Sequence, residues 1–161
     1  MNLKNSVFIA LAIAFVNPAA PAAEVVWPKS SAADLSIFVT ALKFRIHADH
    51  CSDKVPLLKP EFENLMEDLA SRIQGISQGF LASGRFREMK NKPVAAEIVD
   101  ALKDSFNDAR HNFERRDAAS VCPGTLQNLG EMDDEALRSD LTETLTAIQS
   151  MTRNLEKGSA R

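Results

Sequence analysis

Apolar residues recur every three or four positions in four long stretches of this chain, the spacing of one face of an α-helix. No run of β-branched residues alternates with polar ones, so nothing calls for a sheet. The first stretch, from about Ala32 to His50, has Leu35, Phe38, Val39, Leu42 and Ile46 in one stripe and Ile37, Ala41, Phe44 and Ala48 on a second face. Two apolar faces predict the most buried helix of the four. Ser31, with Asp34 three residues on, resembles a capping box with Asp in place of Glu.

The second stretch, about Pro60 to Ser83, has proline at its start and Phe62, Leu65, Leu69, Ile73, Ile76 and Phe80 along one face, with Gly84 as its stop. The third, about Pro93 to Arg116, carries Val94, Ile98, Leu102, Phe106, Ala109 and Phe113. Asp117 to Thr125, with Cys122-Pro123-Gly124 inside it, reads as a break, followed by a short helical turn over Leu126 to Leu129. The fourth, about Asp134 to Lys157, carries Leu137, Leu141, Leu145, Ile148, Met151 and Leu155. Asp133 is its expected cap and Gly158 its expected stop. The expected fold is all-α, an antiparallel four-helix bundle over residues 32–158, with a short tail at 159–161.

The two cysteines, Cys51 and Cys122, test that topology. In an up-down-up-down bundle the end of the first helix and the link into the fourth lie at the same end. A Cys51–Cys122 disulfide is therefore expected, closing a 71-residue separation and contributing about 4 kcal/mol in the chain-entropy model. The compartment agrees. Residues 1–23 read as a cleavable signal peptide: Lys4 in the n-region, an apolar run Val7 to Val16 too short to span a bilayer, then small residues to Ala22-Ala23. Residues 24–31 form an N-terminal tail. Cleavage leaves 138 residues, enough for one domain, in the periplasm or secreted, where disulfides persist.

Net charge is -3, or -4 once Lys4 leaves with the leader. An acidic balance argues against a nucleic-acid partner, and no later stretch is long and apolar enough for a transmembrane helix. Tyrosine is absent and Trp27 is the only tryptophan. C-x-x-C-H, Glu-x-x-His pairs, G-x-S-x-G, a P-loop and H-E-x-x-H are all missing, so no catalytic residue is assigned and no cofactor is expected.

The sharpest ligand-like cluster is HADHC, where His47, His50 and Cys51 share a helix surface and His111 lies toward the same end; imidazole and thiolate suit zinc or copper. Against a metal site, Cys51 is expected to be oxidised. His47 also continues a polar strip, Ser36, Thr40 and Lys43, expected to face solvent, and His111 lies opposite Phe106 and Phe113. Three other features are partner-binding candidates. Gly75 and Gly79 form G-x-x-x-G, which admits a close neighbouring helix or a groove for a partner helix. Arg85, Arg87, Lys90 and Lys92, interleaved with Phe86 and Met89, are a solvated loop or an anion-docking one. Trp27, after Val25-Val26, folds back as a staple or stays free as a sticky segment. Glu131, Asp133, Asp134 and Glu135 form an acidic cluster, expected near Arg115, Arg116 and Lys54.

These readings lead to a small exported, non-enzymatic helical protein that binds a protein partner in the bacterial envelope, as an inhibitor, immunity-type or stress-related factor. The alternative is a periplasmic metal- or cofactor-binding carrier using His47, His50 and His111.

Overall fold

Ser31 caps the first helix. Its Oγ accepts from the Asp34 amide at 3.2 Å and donates to the Asp34 carboxylate at 2.7 Å, satisfying one of the unpaired amides of the first turn. A computed structural model describes Trp27 and residues 31–82 and 93–159. Residues 1–23, expected to be a signal peptide, the tail residues 24–26 and 28–30, Gly84, the basic segment with Arg85, Arg87, Lys90 and Lys92, and residues 160–161 lie outside the described residues.

Among the described residues the fold is all-helical. The helices are α1 (Ala32–Lys54), α2 (Lys59–Ala82), α3 (Ala96–Glu114), α4 (Ala118–Gly130) and α5 (Asp134–Ser159); a 3-10 turn at Pro56–Leu58 links α1 to α2, and short connections join α3 to α4 and α4 to α5. The count is five where four were expected, because the segment read as a break is helical. Asp117 caps α4, its carboxylate accepting from the Ser120 amide at 3.1 Å. Pro123 sits inside the helix, at a cost of about 3 kcal/mol in an isolated helix. Burial of Leu129 and the bond at Cys122 offset that cost.

The expected covalent staple is present: Cys51 and Cys122 are disulfide-bonded, with Cα atoms 5.5 Å apart and both residues fully buried. It ties the C-terminal part of α1 to α4. Helix α1 is the centre of the molecule and touches every other helix. Eleven of its residues are buried, against five in α2, as its two apolar faces imply. The polar strip is the exception to that reading. Ser36 and Thr40 are fully buried, not solvent-facing, because a helix surrounded on most sides has little room for a wet face. Ser36 Oγ donates to the Ala33 carbonyl at 2.7 Å and Thr40 Oγ1 to Thr144 Oγ1 at 3.2 Å, so neither hydroxyl is orphaned.

The stripes of α2 and α5 supply much of the remaining core, whereas that of α3 is buried only at Ile98 and Phe113, with Leu102 and Phe106 half-buried and Ala109 exposed. Phe62, Leu69, Ile73 and Ile76 of α2, Ile98 and Phe113 of α3, and Leu137, Leu141, Leu145 and Ile148 of α5 are buried. Leu155 departs from its stripe and is 38% exposed, since the last turns of α5 run past the core. Gly158 does not stop α5, which continues to Ser159. Pro93 precedes α3 and pairs with Ser31 in an isolated antiparallel bridge. Asp133 caps α5, accepting from the Ala136 amide at 2.8 Å. Among the described residues the cation ion-paired with the acidic cluster is Arg72. Its Nε donates to Asp134 at 2.9 Å and a terminal nitrogen to the Met132 carbonyl at 2.7 Å.

Candidate functional site

The histidines of HADHC meet an aromatic ring rather than one another's ligand geometry. Phe113, reaching over from α3, stands 4.3 Å from the His47 ring and 5.3 Å from the His50 ring, centroid to centroid. Burial lowers the His47 pKa from its ordinary value near 6.5, and the Arg116 and His50 charges push the same way. His50 Nε2 is buried with no hydrogen-bond partner among the described residues. His111 is exposed, as its side of α3 predicts, with Nδ1 3.5 Å from the Glu114 carboxylate. The three imidazoles are not brought together, and Cys51 is held in the disulfide. No group of three or more His, Cys, Asp or Glu is placed to hold a metal ion among the described residues.

Trp27 takes the fold-back position. Its ring packs edge-on against Phe38 of α1 at 5.2 Å and Phe106 of α3 at 5.9 Å, pinning the tail across two helices. Gly75 and Gly79 correct the expectation of a close helix neighbour. Both are exposed, and a Cβ added at either would meet no atom of another described element within 4 Å, because they lie on α2 away from its buried stripe.

The feature that periodicity did not reveal is a groove of about 440 Å³ between α1, α3 and α5. Its apolar lining includes Val39, Ile46, Leu102, Phe106, Ala147 and Met151. Thr144, bonded to Thr40, is part of the wall. Lys43, His47, Arg110 and Glu143 supply the ionisable lining. The Ser31–Pro93 bridge near the start of both helices and the His47–Phe113 contact near their far ends show that α1 and α3 run the same way. The ionisable lining is mixed: on α1, apolar Ile46 lies between Lys43 and His47, on α3 Arg110 follows Ala109, and α5 adds Glu143. Arg110 is engaged, its Nε donating to Glu114 at 2.7 Å. That hydrogen bond holds the Glu114 carboxyl below its usual range. Glu143 accepts from Ser139 at 3.3 Å. Lys43 is exposed and stands in no ion pair with another described residue.

Volumes of this size fall in the range of small-molecule sites, about 300–1,000 Å³. The one sequence signal for the groove is the Arg110–Glu114 spacing of four, which marks an exposed strip on α3. Nothing in the stripes themselves says that α1, α3 and α5 leave space between them. Comparison with protein-family models, with curated proteins and with solved structures finds no match.

Proposed function

We propose that this chain is a small exported binding protein, without a catalytic role, that works by holding a small apolar ligand in the α1–α3–α5 groove. The single observation that carries the reading is the groove itself, a mainly apolar lining edged by the charged groups Lys43, Arg110 and Glu143. The rest of the architecture serves it. On this reading α1, α2, α3 and α5 form an antiparallel bundle, and α4 is a short fifth helix held to α1 by the disulfide. A disulfide between two buried cysteines supports an oxidising address, periplasmic or secreted. No helix among the described residues is long and apolar enough to cross a membrane.

The carrier reading thus moves from metal to organic ligand. His47 contributes as a wall of the groove and not as one of three ligands. The test is native, non-reducing mass spectrometry of the protein recovered from its envelope fraction, alongside an Ala147→Phe variant. Ala147 is an exposed groove residue, so phenylalanine there occupies the space without disturbing the core. A stoichiometric small molecule on the natural protein, lost from the variant, is the expected result. An empty chain with a bound protein supports the second reading, an interaction protein. That reading is favoured by Leu57, which is 88% exposed in the Pro56–Leu58 turn, and Leu57→Ser would then release the partner.

A further inference from the structure

Trp27 brings the start of the chain beside the groove. Its ring meets Phe38 at 5.2 Å and Phe106, a groove residue, at 5.9 Å. Phe38 lies about 10 Å along α1 from the Ser31 cap, at about 1.5 Å per residue. From Ser31 back to Trp27 the chain thus runs beside α1 in the sense that leads from Val39 to Lys43. Glu24, Val25 and Val26 lie between Trp27 and the expected cleavage point. Extended, three residues reach about 10 Å, and Val39 to Lys43 is about 6 Å of helix. The chemistry matches as well as the reach. Two valines suit a lining of Val39, Ile46, Leu102, Ala147 and Met151. Cleavage after Ala23 leaves Glu24 first, with an α-ammonium and a carboxylate on one residue. Lys43 and Glu143, opposite in charge, line the same groove, and the Thr40–Thr144 bond holds their turns together. An end that carries both charges suits that pair, and a singly charged one does not.

We infer that in the cleaved chain residues 24–26 occupy the α1–α3–α5 groove, with Val25 and Val26 against Ala147 and Met151 and the two charges of Glu24 at Lys43 and Glu143. The segment is the groove's own competitor, and a small apolar ligand enters by displacing it. Displacement rests on the groove being the ligand site proposed above; occupancy by the segment does not.

The experiment uses the mature chain recovered from the envelope, its first residue read from its mass, stripped of small molecules by unfolding and refolding with the disulfide intact. Methyl-labelled valine, alanine and methionine are followed by nuclear Overhauser spectroscopy. Cross-peaks from Val25 and Val26 to Ala147 and Met151 are expected; their absence, or a first residue other than Glu24, overturns the inference. The neutral dye N-phenyl-1-naphthylamine is then titrated into this chain and into one lacking residues 24–26. The shortened chain keeps Trp27, and circular dichroism serves to show that it keeps its fold. It is expected to bind one dye about ten-fold more tightly, as for a groove filled nine-tenths of the time by its own segment, and Ala147→Phe is expected to abolish that binding. Equal binding by the two chains overturns the segment as competitor, while a block by Ala147→Phe still upholds the groove as a ligand site. No dye bound by the shortened chain, or binding indifferent to Ala147→Phe, overturns the ligand site and the displacement, and the cross-peaks alone then decide whether the segment fills the groove.

Discussion

At the Cys51–Cys122 end, two fully buried sulfurs join α1 to α4, and Phe113 closes over His47 and His50. Along the α1–α3–α5 side, the same central helix meets its neighbours with less filling. Val39 is buried there, but Leu102, Phe106 and Met151 are only half-buried, and Ala109 and Ala147 are exposed beside the groove. The first region is over-determined by a covalent bond and aromatic packing. The second is held by long helices whose small side chains stop short of filling it. Protein interiors pack to nearly crystalline density, and this helix junction, with alanines in its lining, falls short of that among the described residues. Trp27 spans the difference, anchoring the tail on Phe38 and on a groove residue.

The comparison breaks first at the disulfide. Cys51→Ala with Cys122→Ala should lower stability by about 4 kcal/mol, measured by urea unfolding, while leaving the groove's shape to the long helices. A loss below about 1 kcal/mol would mean that the stapled end is held by packing alone. Next comes α5, which crosses from core to solvent along its length. Leu141→Ala, at a fully buried position, should cost about 3 kcal/mol through lost transfer energy and a cavity. Leu155→Ala, past the core, should cost less than about 0.5 kcal/mol. Similar values for both would place the end of α5 in a packed environment.

Gly75→Ala should add about 0.5–1 kcal/mol, because a methyl group there meets no atom of another described element within 4 Å and glycine is a poor helix former. A destabilising result would show that the methyl group at position 75 meets a neighbour in solution. The smallest effect is electrostatic. His47 has a folded pKa below its ordinary value near 6.5, so the unfolded chain takes up its proton first as pH falls. The stability His47 contributes is complete above that value and is lost as pH drops through the folded one. Melting temperatures between pH 7.5 and 5 should therefore fall on acidification, and His47→Phe should flatten the slope. An unchanged slope would place the acid sensitivity elsewhere.

Much of the fold is legible in the chain itself. Ser31 and Asp133 are caps because a short polar side chain precedes an apolar-periodic run, and both hydroxyl and carboxylate find the amides expected of them. The stripes of α2 and α5 find the core because alternation at 3.6 residues leaves one face to bury. The Cys51–Cys122 pair follows from there being only two cysteines. Three features follow a different logic. Pro123-Gly124 carries the local signature of a break, yet Asp117 capping, buried Leu129 and the disulfide outweigh it. Ser36 and Thr40 look like surface residues, yet α1 is enclosed and Thr144 supplies the partner. The groove depends on how far apart three helices settle, a distance set by Ala109, Ala147 and their neighbours jointly. Local pattern determines which residues want burial and where helices begin. Only the tertiary packing decides how completely facing surfaces meet, because fit is a property of three helices at once and is encoded in none of them singly.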